Sequence, residues 1–234
     1  MGADREYSYV SAGGDTARAV DEAAQEALSA WLEERERYPS ILSEESGLIE
    51  GQERGIVLID PVDGSSNADR GIPFACVSVA YSSSYSLKDL EMAVILDLFR
   101  GDLYHAIKGG GAFKNGNRVR VRDFRGTPVI YSPCQRNNSV TKERLGFKHI
   151  ARRDLGSVAL GLALVAEGRI DALIDLRGDL RIVDLAAGLL MVREAGGTVL
   201  VNKHRIEGLS REYSIVAGIR EVVRRVEIEG MIEL

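Results

Sequence analysis

Two carboxylates stand three residues apart, directly after an apolar run that is typical of a buried strand. The run covers residues 55–59, and Asp60 and Asp63 follow it on a turn that contains a proline. Gly64 then lets the backbone approach a ligand closely, and two serine hydroxyls come next. This combination suits a Mg²⁺ site that must also hold a phosphate, so it indicates metal-dependent hydrolysis of a phosphate ester. The same residues also make a good turn without any ligand, and this alternative stays open.

Three further segments carry residues that could join such a site. Glu44 and Glu45 precede a glycine, where they are either a solvated turn or the extra carboxylate that orients the attacking water in a two-metal site. Asp184 lies between apolar residues near the start of a predicted helix, so it is either a helix cap or a metal ligand. Gly156 and Ser157 precede another predicted helix, where they are either an N-cap or a docking point for a substrate hydroxyl or phosphate.

Other motifs point less clearly to chemistry. The glycines at 109–111 are more typical of a hairpin turn than of a phosphate loop, because no Lys-Ser or Lys-Thr pair follows them. The arginine-rich run 118–125 is more typical of the solvent-facing side of a strand than of a nucleic-acid patch.

Composition excludes several classes of protein. The 234 residues carry a formal net charge of −5, which gives no support to nucleic-acid binding. Cys76 and Cys134 are the only cysteines, too few for a disulfide framework or a zinc cluster. The sequence contains no apolar run long enough to span a bilayer and nothing that resembles a signal peptide. We therefore expect a cytoplasmic protein with no membrane partner.

Hydrophobic periodicity predicts an α/β fold in two parts. The first part, residues 1–126, has an amphipathic helix over 15–37 and then several strands with short turns, which indicates a mainly antiparallel sheet that carries the metal motif. The second part, residues 127–234, alternates strands and helices and would complete the active site as an α/β layer. Its predicted strands are 127–131, 170–176, 198–201 and 213–217, and its predicted helices are 155–167, 182–195 and a terminal helix from 220.

Taken together and in order, these pieces resemble the inositol monophosphatase family. This superfamily of lithium-sensitive, Mg²⁺-dependent phosphatases also contains the fructose-1,6-bisphosphatases. The resemblance covers nearly the whole chain from Gly14 on, and the compact length and residues 175–178 are most similar to the archaeal members. The motifs that carry the resemblance are residues 44–46, 60–67, 156–157, 184–188 and 194–197.

The resemblance implies a layered αβαβα fold and a site for two to three Mg²⁺ ions. The implied metal ligands are Glu44, Asp60, the Val62 carbonyl, Asp63 and Asp184, with Asp21 holding the waters of a third ion. Asp60 would bridge the first two ions. Glu44 and the Ser65 hydroxyl would orient the attacking water.

The resemblance also implies where the substrate lies. The backbone N–H groups of Gly64 and Ser65 would bind the phosphate. The other implied substrate contacts are Ser66, Gly156, Ser157 and Arg177. Arg177 stands where inositol-preferring animal enzymes have an acid, so an arginine there favours a second, distal phosphate on the substrate.

The predicted activity is hydrolysis of inositol 1-phosphate, fructose 1,6-bisphosphate or both, by water that a metal activates. One alternative within the same class is a phosphatase that acts on 3′-phosphoadenosine 5′-phosphate. An alternative from a different class is a non-catalytic subunit that binds metal or phosphate. The family resemblance further implies a homodimer or tetramer.

Overall fold

The chain forms two β-sheets with helices packed between and around them. A computed structural model describes residues 23, 26–27, 29–31, 34, 36–133, 145–226 and 230–234. Of the helix predicted over residues 15–37, the described residues 23, 26–27 and 29–31 are helical. The described residues 34, 36 and 37 are not helical, so the predicted end of the helix is wrong, and the remaining residues of the range lie outside the described part. No helix among the described residues is long and apolar enough to cross a membrane.

The first sheet has eight strands in the order β2-β1-β3-β4-β5-β6-β7-β8. It is antiparallel except where β1 runs parallel to β3, which agrees with the predicted mainly antiparallel sheet. Helix α1 (Ser65–Asp69) follows β3 directly. The strands are β1 (Pro39–Ser43), β2 (Gly47–Ile49), β3 (Glu53–Asp63), β4 (Cys76–Ser82), β5 (Leu90–Asp97), β6 (Leu103–Ile107), β7 (Gly111–Lys114) and β8 (Asn117–Val119).

The second sheet has six strands in the order β10-β9-β11-β13-β12-β14. These strands are β9 (Val129–Tyr131), β10 (Ala151–Arg153), β11 (Ala172–Leu180), β12 (Thr198–Val201), β13 (Tyr213–Gly218) and β14 (Ile232–Glu233). The helices of this half are α2 (Val158–Ala166), α3 (Ile182–Glu194) and α4 (Arg220–Val223). The mixed α/β class with two sheets is therefore the class that the sequence predicted.

Helix α3 is the centre of the core. Nearly all of its residues are buried, and it contacts strands of both sheets. Gly188 lets α2 approach, because a Cβ atom there would lie 2.4 Å from the side chain of Leu162. One continuous cluster of buried apolar side chains includes residues from both sheets and both helices. The division at residue 126 falls between β8 and β9, and it remains a prediction.

The strand interpretation of the arginine-rich run 118–125 is wrong beyond Val119, where β8 ends. The chain leaves the sheet there because two of its groups bond elsewhere. The Val121 N–H donates to the Ala195 carbonyl, and the Arg122 guanidinium donates to both carboxylate oxygens of buried Asp171 at 2.6 and 3.0 Å. Strands β10 and β14, the two edges of the second sheet, have no counterpart among the predicted strands of the second part, because short edge strands carry little periodic signal.

Candidate metal centre

Three acidic side chains from three separate elements meet at one edge of the first sheet. Carboxylate oxygens of Glu44, Asp60 and Asp184 all lie within 4.8 Å of one another. Glu44 follows β1, whose parallel register pairs Ser43 with Ile59, so the two strands deliver Glu44 and Asp60 to the same edge. Asp184 stands in the first turn of α3, where its carboxylate accepts the Arg181 N–H at 3.0 Å.

A bulge in β3 turns the two aspartates of the opening motif to the same side. Successive side chains of a strand alternate between faces, so residues three apart normally point in opposite directions. Here Asp60 pairs with Ser78 and Asp63 pairs with Cys76, so three steps along β3 match two along β4. The extra residue restores a common face for both carboxylates.

Asp63 is held by the start of helix α2. Its Oδ2 atom accepts the Ser157 hydroxyl and the Ala159 N–H, each at 2.6 Å. The thiol of buried Cys76 lies 3.9 Å from the same oxygen and 3.6 Å from the Ser157 hydroxyl. The second half of the chain therefore fixes a carboxylate that the first half supplies.

The site is strongly acidic and poorly solvated. Asp60, which is 2% exposed, has a pKa well above its usual range, because burial and the charges of the neighbouring carboxylates oppose its ionisation. Burial likewise raises the pKa of Asp63 to about 7 and that of Asp184 to about 8. A bound cation would remove this penalty, and a set of carboxylate oxygens fits Mg²⁺.

Arg181 partly balances the negative charge. Its Nη1 donates to the Glu44 carboxylate at 2.7 Å, and the arginine is only 4% exposed. Because its backbone N–H also bonds Asp184, one residue contacts two of the three clustered acids. Arg181 was not among the predicted site residues, although its position three before Asp184 is the spacing of a helix cap.

The turn after β3 is closed by close packing. Gly64 has φ +91°, and a Cβ atom there would lie 3.0 Å from the Phe74 carbonyl and 3.3 Å from the Ser157 Cβ. Asn67 donates to the Phe74 and Leu155 carbonyls at 2.7 and 2.8 Å, which ties α1 to the loop before α2. The turn is therefore a fixed part of the site.

Comparison with known proteins identifies the family. The sequence model of the inositol monophosphatase family matches residues 3–226. The chain belongs to the inositol monophosphatase family. This confirms the resemblance drawn from the motifs.

Relatives of known name or structure agree with this membership. The fructose-1,6-bisphosphatase/inositol-1-monophosphatase of Methanothermobacter thermautotrophicus is 37% identical over 94% of this chain and 85% of its own length. The Nus factor SuhB of Xylella fastidiosa is 39% identical over 79% of this chain and 68% of its own length. The crystal structure of an inositol monophosphatase–fructose 1,6 bisphosphatase has a TM-score of 0.82 and 26% identity, covering 95% of this chain and 88% of that chain.

Half of the predicted site residues of this family member lie in the last residues of β3 and the turn that follows it. The Val62 N–H donates to the Asp60 carboxylate at 2.9 Å, so the backbone folds around that acid. Ser65 and Ser66 are the first two residues of α1. The N-cap of this helix is Gly64, which has no side chain to accept a hydrogen bond from the first turn. Asp21 lies outside the described residues, so its predicted role stays a prediction.

Gly156 and Ser157 come close to the motif from the other half of the chain. A Cβ atom on Gly156 would lie 2.7 Å from the Asn67 amide nitrogen, and its N–H donates to the Tyr131 hydroxyl at 3.1 Å. Ser157 is the N-cap of α2, because its hydroxyl accepts the Leu160 N–H at 3.3 Å. The single hydrogen of its hydroxyl is donated to Asp63.

Arg177 lies in β11 and is tied to a neighbour. Its Nη2 and Nε donate to the carboxylate of buried Asp175, at 2.5 and 2.9 Å. These hydrogen bonds raise its pKa, and the charges of Asp175, Asp179 and Asp154 act in the same direction. Nearby carboxylates offset part of the attraction that this arginine would exert on a distal phosphate.

The glycines at 109–111 bind a side chain of the protein itself. The N–H groups of Gly109 and Gly111 each donate to the Glu194 carboxylate at 2.9 Å. Strands β6 and β7 pair antiparallel across this turn, so the hairpin interpretation is correct, and Glu194 joins the hairpin to the end of α3.

Proposed function

We propose that this protein is a Mg²⁺-dependent phosphomonoesterase that hydrolyses inositol 1-phosphate, fructose 1,6-bisphosphate or both. The family is one of Mg²⁺-dependent phosphatases. The observation that carries the proposal is the meeting of Glu44, Asp60 and Asp184 within 4.8 Å, with Asp63 on the same face of β3. Such a set of acids opposes folding unless a cation binds, so a purely structural role does not account for it.

We further propose two to three Mg²⁺ ions. Glu44, Asp60 and the Val62 carbonyl would hold the first, and Asp60, Asp63 and Asp184 the second. Asp21 would serve a third, weaker ion. Bound Mg²⁺ lowers the pKa of water and neutralises the charge on phosphoryl and leaving-group oxygens.

The residues of the chain would then position the reactants. Glu44 and the Ser65 hydroxyl would orient a water molecule for in-line attack on phosphorus, with the Glu44 carboxylate fixed by Arg181 at 2.7 Å. The N–H groups of Gly64 and Ser65 would bind phosphate oxygens. Because the transition state carries its charge on oxygen, positioning and charge supply most of the rate, and no residue needs to form a phospho-enzyme.

The substrate preference rests on two supports. The M. thermautotrophicus relative is named for both the bisphosphatase and the inositol monophosphatase activity. Arg177 supplies a positive group seven residues before Asp184 that a distal phosphate could contact. If 3′-phosphoadenosine 5′-phosphate were turned over much faster than inositol 1-phosphate and fructose 1,6-bisphosphate, the nucleotide-phosphatase alternative would be favoured instead.

Phosphate release from Asp60→Asn tests the proposal. Asparagine keeps the size of the side chain and can still accept the Val62 N–H, but it removes one charge from the cluster. We expect kcat with Mg²⁺ to fall at least about 100-fold while the circular dichroism spectrum is unchanged. The control is Asp171→Asn, which changes a buried acid that bonds Arg122 and lies outside the cluster.

Two outcomes would contradict the proposal. Turnover by Asp60→Asn at the wild-type rate would exclude the mechanism. Metal binding by the wild type without phosphate release from any sugar, inositol or nucleotide phosphate would favour a non-catalytic subunit.

We also propose a homodimer or tetramer located in the cytoplasm. Exposed apolar side chains on β5 and β6, among them Met92, Val94 and Ile107, supply surface of the kind that subunit contacts use. Light scattering coupled to gel filtration measures the mass directly, and a monomer at micromolar concentration would contradict the proposal.

A further inference from the structure

The Ser157 hydroxyl is committed to partners inside the protein. It donates to Asp63 Oδ2 at 2.6 Å and accepts the Leu160 N–H at 3.3 Å, and the residue is 1% exposed. A serine hydroxyl has a single hydrogen to donate. A substrate phosphate would need that hydrogen, because phosphate oxygens are acceptors, and donating it to substrate would take it from Asp63.

Asp63 is correspondingly held through one oxygen. Besides the Ser157 hydroxyl, Oδ2 accepts the Ala159 N–H at 2.6 Å, and the Cys76 thiol approaches it at 3.9 Å. Two short hydrogen bonds from the first turn of α2 thus fix the plane and tilt of the carboxylate. The other oxygen, Oδ1, is the one that would face a cation.

We propose that Ser157 is a positioning residue that sets metal affinity through Asp63 and does not bind substrate. Its hydroxyl and the Ala159 N–H present Asp63 to the metal centre as a one-oxygen ligand of fixed direction. Helix α2 is thereby coupled to the metal site, because the residue that caps the helix also holds the ligand. The inference rests on the proposed function, and it replaces the substrate contact that the family resemblance implied for Ser157.

Metal binding without substrate tests this role directly. Mn²⁺ binding to the full chain, followed by electron paramagnetic resonance, gives a dissociation constant that does not depend on turnover. Partners of metal ligands typically contribute 10- to 100-fold to metal affinity, so we expect Ser157→Ala to weaken Mn²⁺ binding about 10- to 100-fold. Ser157→Thr keeps the hydroxyl and should restore the wild-type constant. With metal at saturation, the KM of Ser157→Ala for the phosphate ester should equal that of the wild type.

Two further variants separate this role from loss of folding. Ser157→Gly also removes the hydroxyl but keeps a residue that helix N-caps tolerate, so it should fold and show the same weakening. Ser82→Ala removes another buried serine hydroxyl, which donates to the Ser86 carbonyl at 2.8 Å at the far end of β4, and it should bind Mn²⁺ like the wild type.

The inference is overturned if Ser157→Ala and Ser157→Gly bind Mn²⁺ with wild-type affinity. It is also overturned if their KM rises while Mn²⁺ binding is unchanged, because that is the behaviour of a substrate ligand. Weakened Mn²⁺ binding in a protein whose wild type releases no phosphate would support the role of Ser157 and reject the proposed function. The two proposals therefore fail separately.

Discussion

Replacing Asp184 by asparagine should stabilise the metal-free protein, although Asp184 is a proposed metal ligand. The reason is that the carboxyl group opposes folding when no cation is present. Burial and the charges of Asp63 and Glu44 raise its pKa to about 8. Asparagine keeps the side-chain size and can still accept the Arg181 N–H, but it has no charge to bury.

The size of the effect follows from the proton that Asp184 must hold at neutral pH. The ordinary pKa is 3.8 and the value in the folded protein is about 8. At about 1.4 kcal/mol per pH unit, keeping the group protonated at pH 7 costs at most about 4 kcal/mol. Burial and the charge of Glu44 also raise the pKa of Asp63, and the charge of Asp63 in turn acts on Asp184, so the two acids share this cost. We therefore expect a gain of about 2 kcal/mol for Asp184→Asn. For a chain of this length the melting temperature should rise by about 4–8 °C.

The sign of the pH dependence is also fixed. The pKa of Asp184 is higher in the folded protein than in the unfolded chain, so protonation of Asp184 favours the folded state. This contribution to the free energy of unfolding is fully present below about pH 3.8 and is lost as the pH rises through about 8. The metal-free wild type should therefore lose stability between pH 5 and pH 8. Asp184→Asn should lose less over the same interval.

Urea unfolding in EDTA at pH 5, 7 and 8, followed by circular dichroism, measures these differences. Asp171→Asn is the matched control, because Asp171 is a buried acid paired with Arg122 and bonded to the Val129 N–H at 2.6 Å. That variant should lose about 1–3 kcal/mol. The reasoning is refuted if Asp184→Asn is less stable than the wild type at pH 7 in EDTA. It is also refuted if wild-type stability does not fall between pH 5 and pH 8.

Two further predictions concern the turn and the distal group. Gly64→Ala should lower the free energy of unfolding, measured in urea titrations, by about 2–3 kcal/mol, because the positive φ and the close contacts of the added Cβ act together. Gly71→Ala is the control: Gly71 has φ +68° but an added Cβ would have no atom within 4 Å, so this variant should lose only about 1 kcal/mol. Equal losses would show that the packing of the turn is unimportant. Arg177→Lys, which keeps a positive charge beside Asp175 but loses the planar fork, should raise KM for fructose 1,6-bisphosphate about tenfold and leave inositol 1-phosphate unchanged. An equal change for both substrates would exclude contact with a distal phosphate.

The acidic residues of the site could be proposed from the sequence because their signals are local. Asp60 and Asp63 lie together in one short motif after an apolar run, and Asp184 stands in the first turn of a mostly apolar helix. What the sequence could not show is why these acids face one another. The bulge between Asp60 and Asp63 leaves no mark in the hydrophobic pattern, and the parallel pairing of β1 with β3 joins segments that periodicity alone cannot match.

The hydrogen bonds that hold these acids in place could not be predicted from the sequence, because their partners are distant in the chain. Ser157 bonds Asp63 across 94 residues, and Arg181 bonds Glu44 across 137 residues. A serine before a helix is first of all a typical N-cap, and it is one here. Its second bond, to Asp63, depends on how α2 docks against β3 and β4, which local propensity does not encode.

The site is therefore best understood as a cluster of charge that the rest of the fold must restrain. Three aspartates with raised pKa values would separate, and would then ionise more easily, if their elements were free to move. They stay in place because Arg181 holds two acids from the side of α3, and because the start of α2 holds Asp63. Each of these hydrogen bonds joins an acid to helix α2 or α3, and both helices are packed in the apolar core. Packing of the core therefore offsets the repulsion between the acids. Binding of a cation then relieves a cost that the folded chain already bears, which is why metal affinity and stability should change in opposite directions when Asp184 is neutralised.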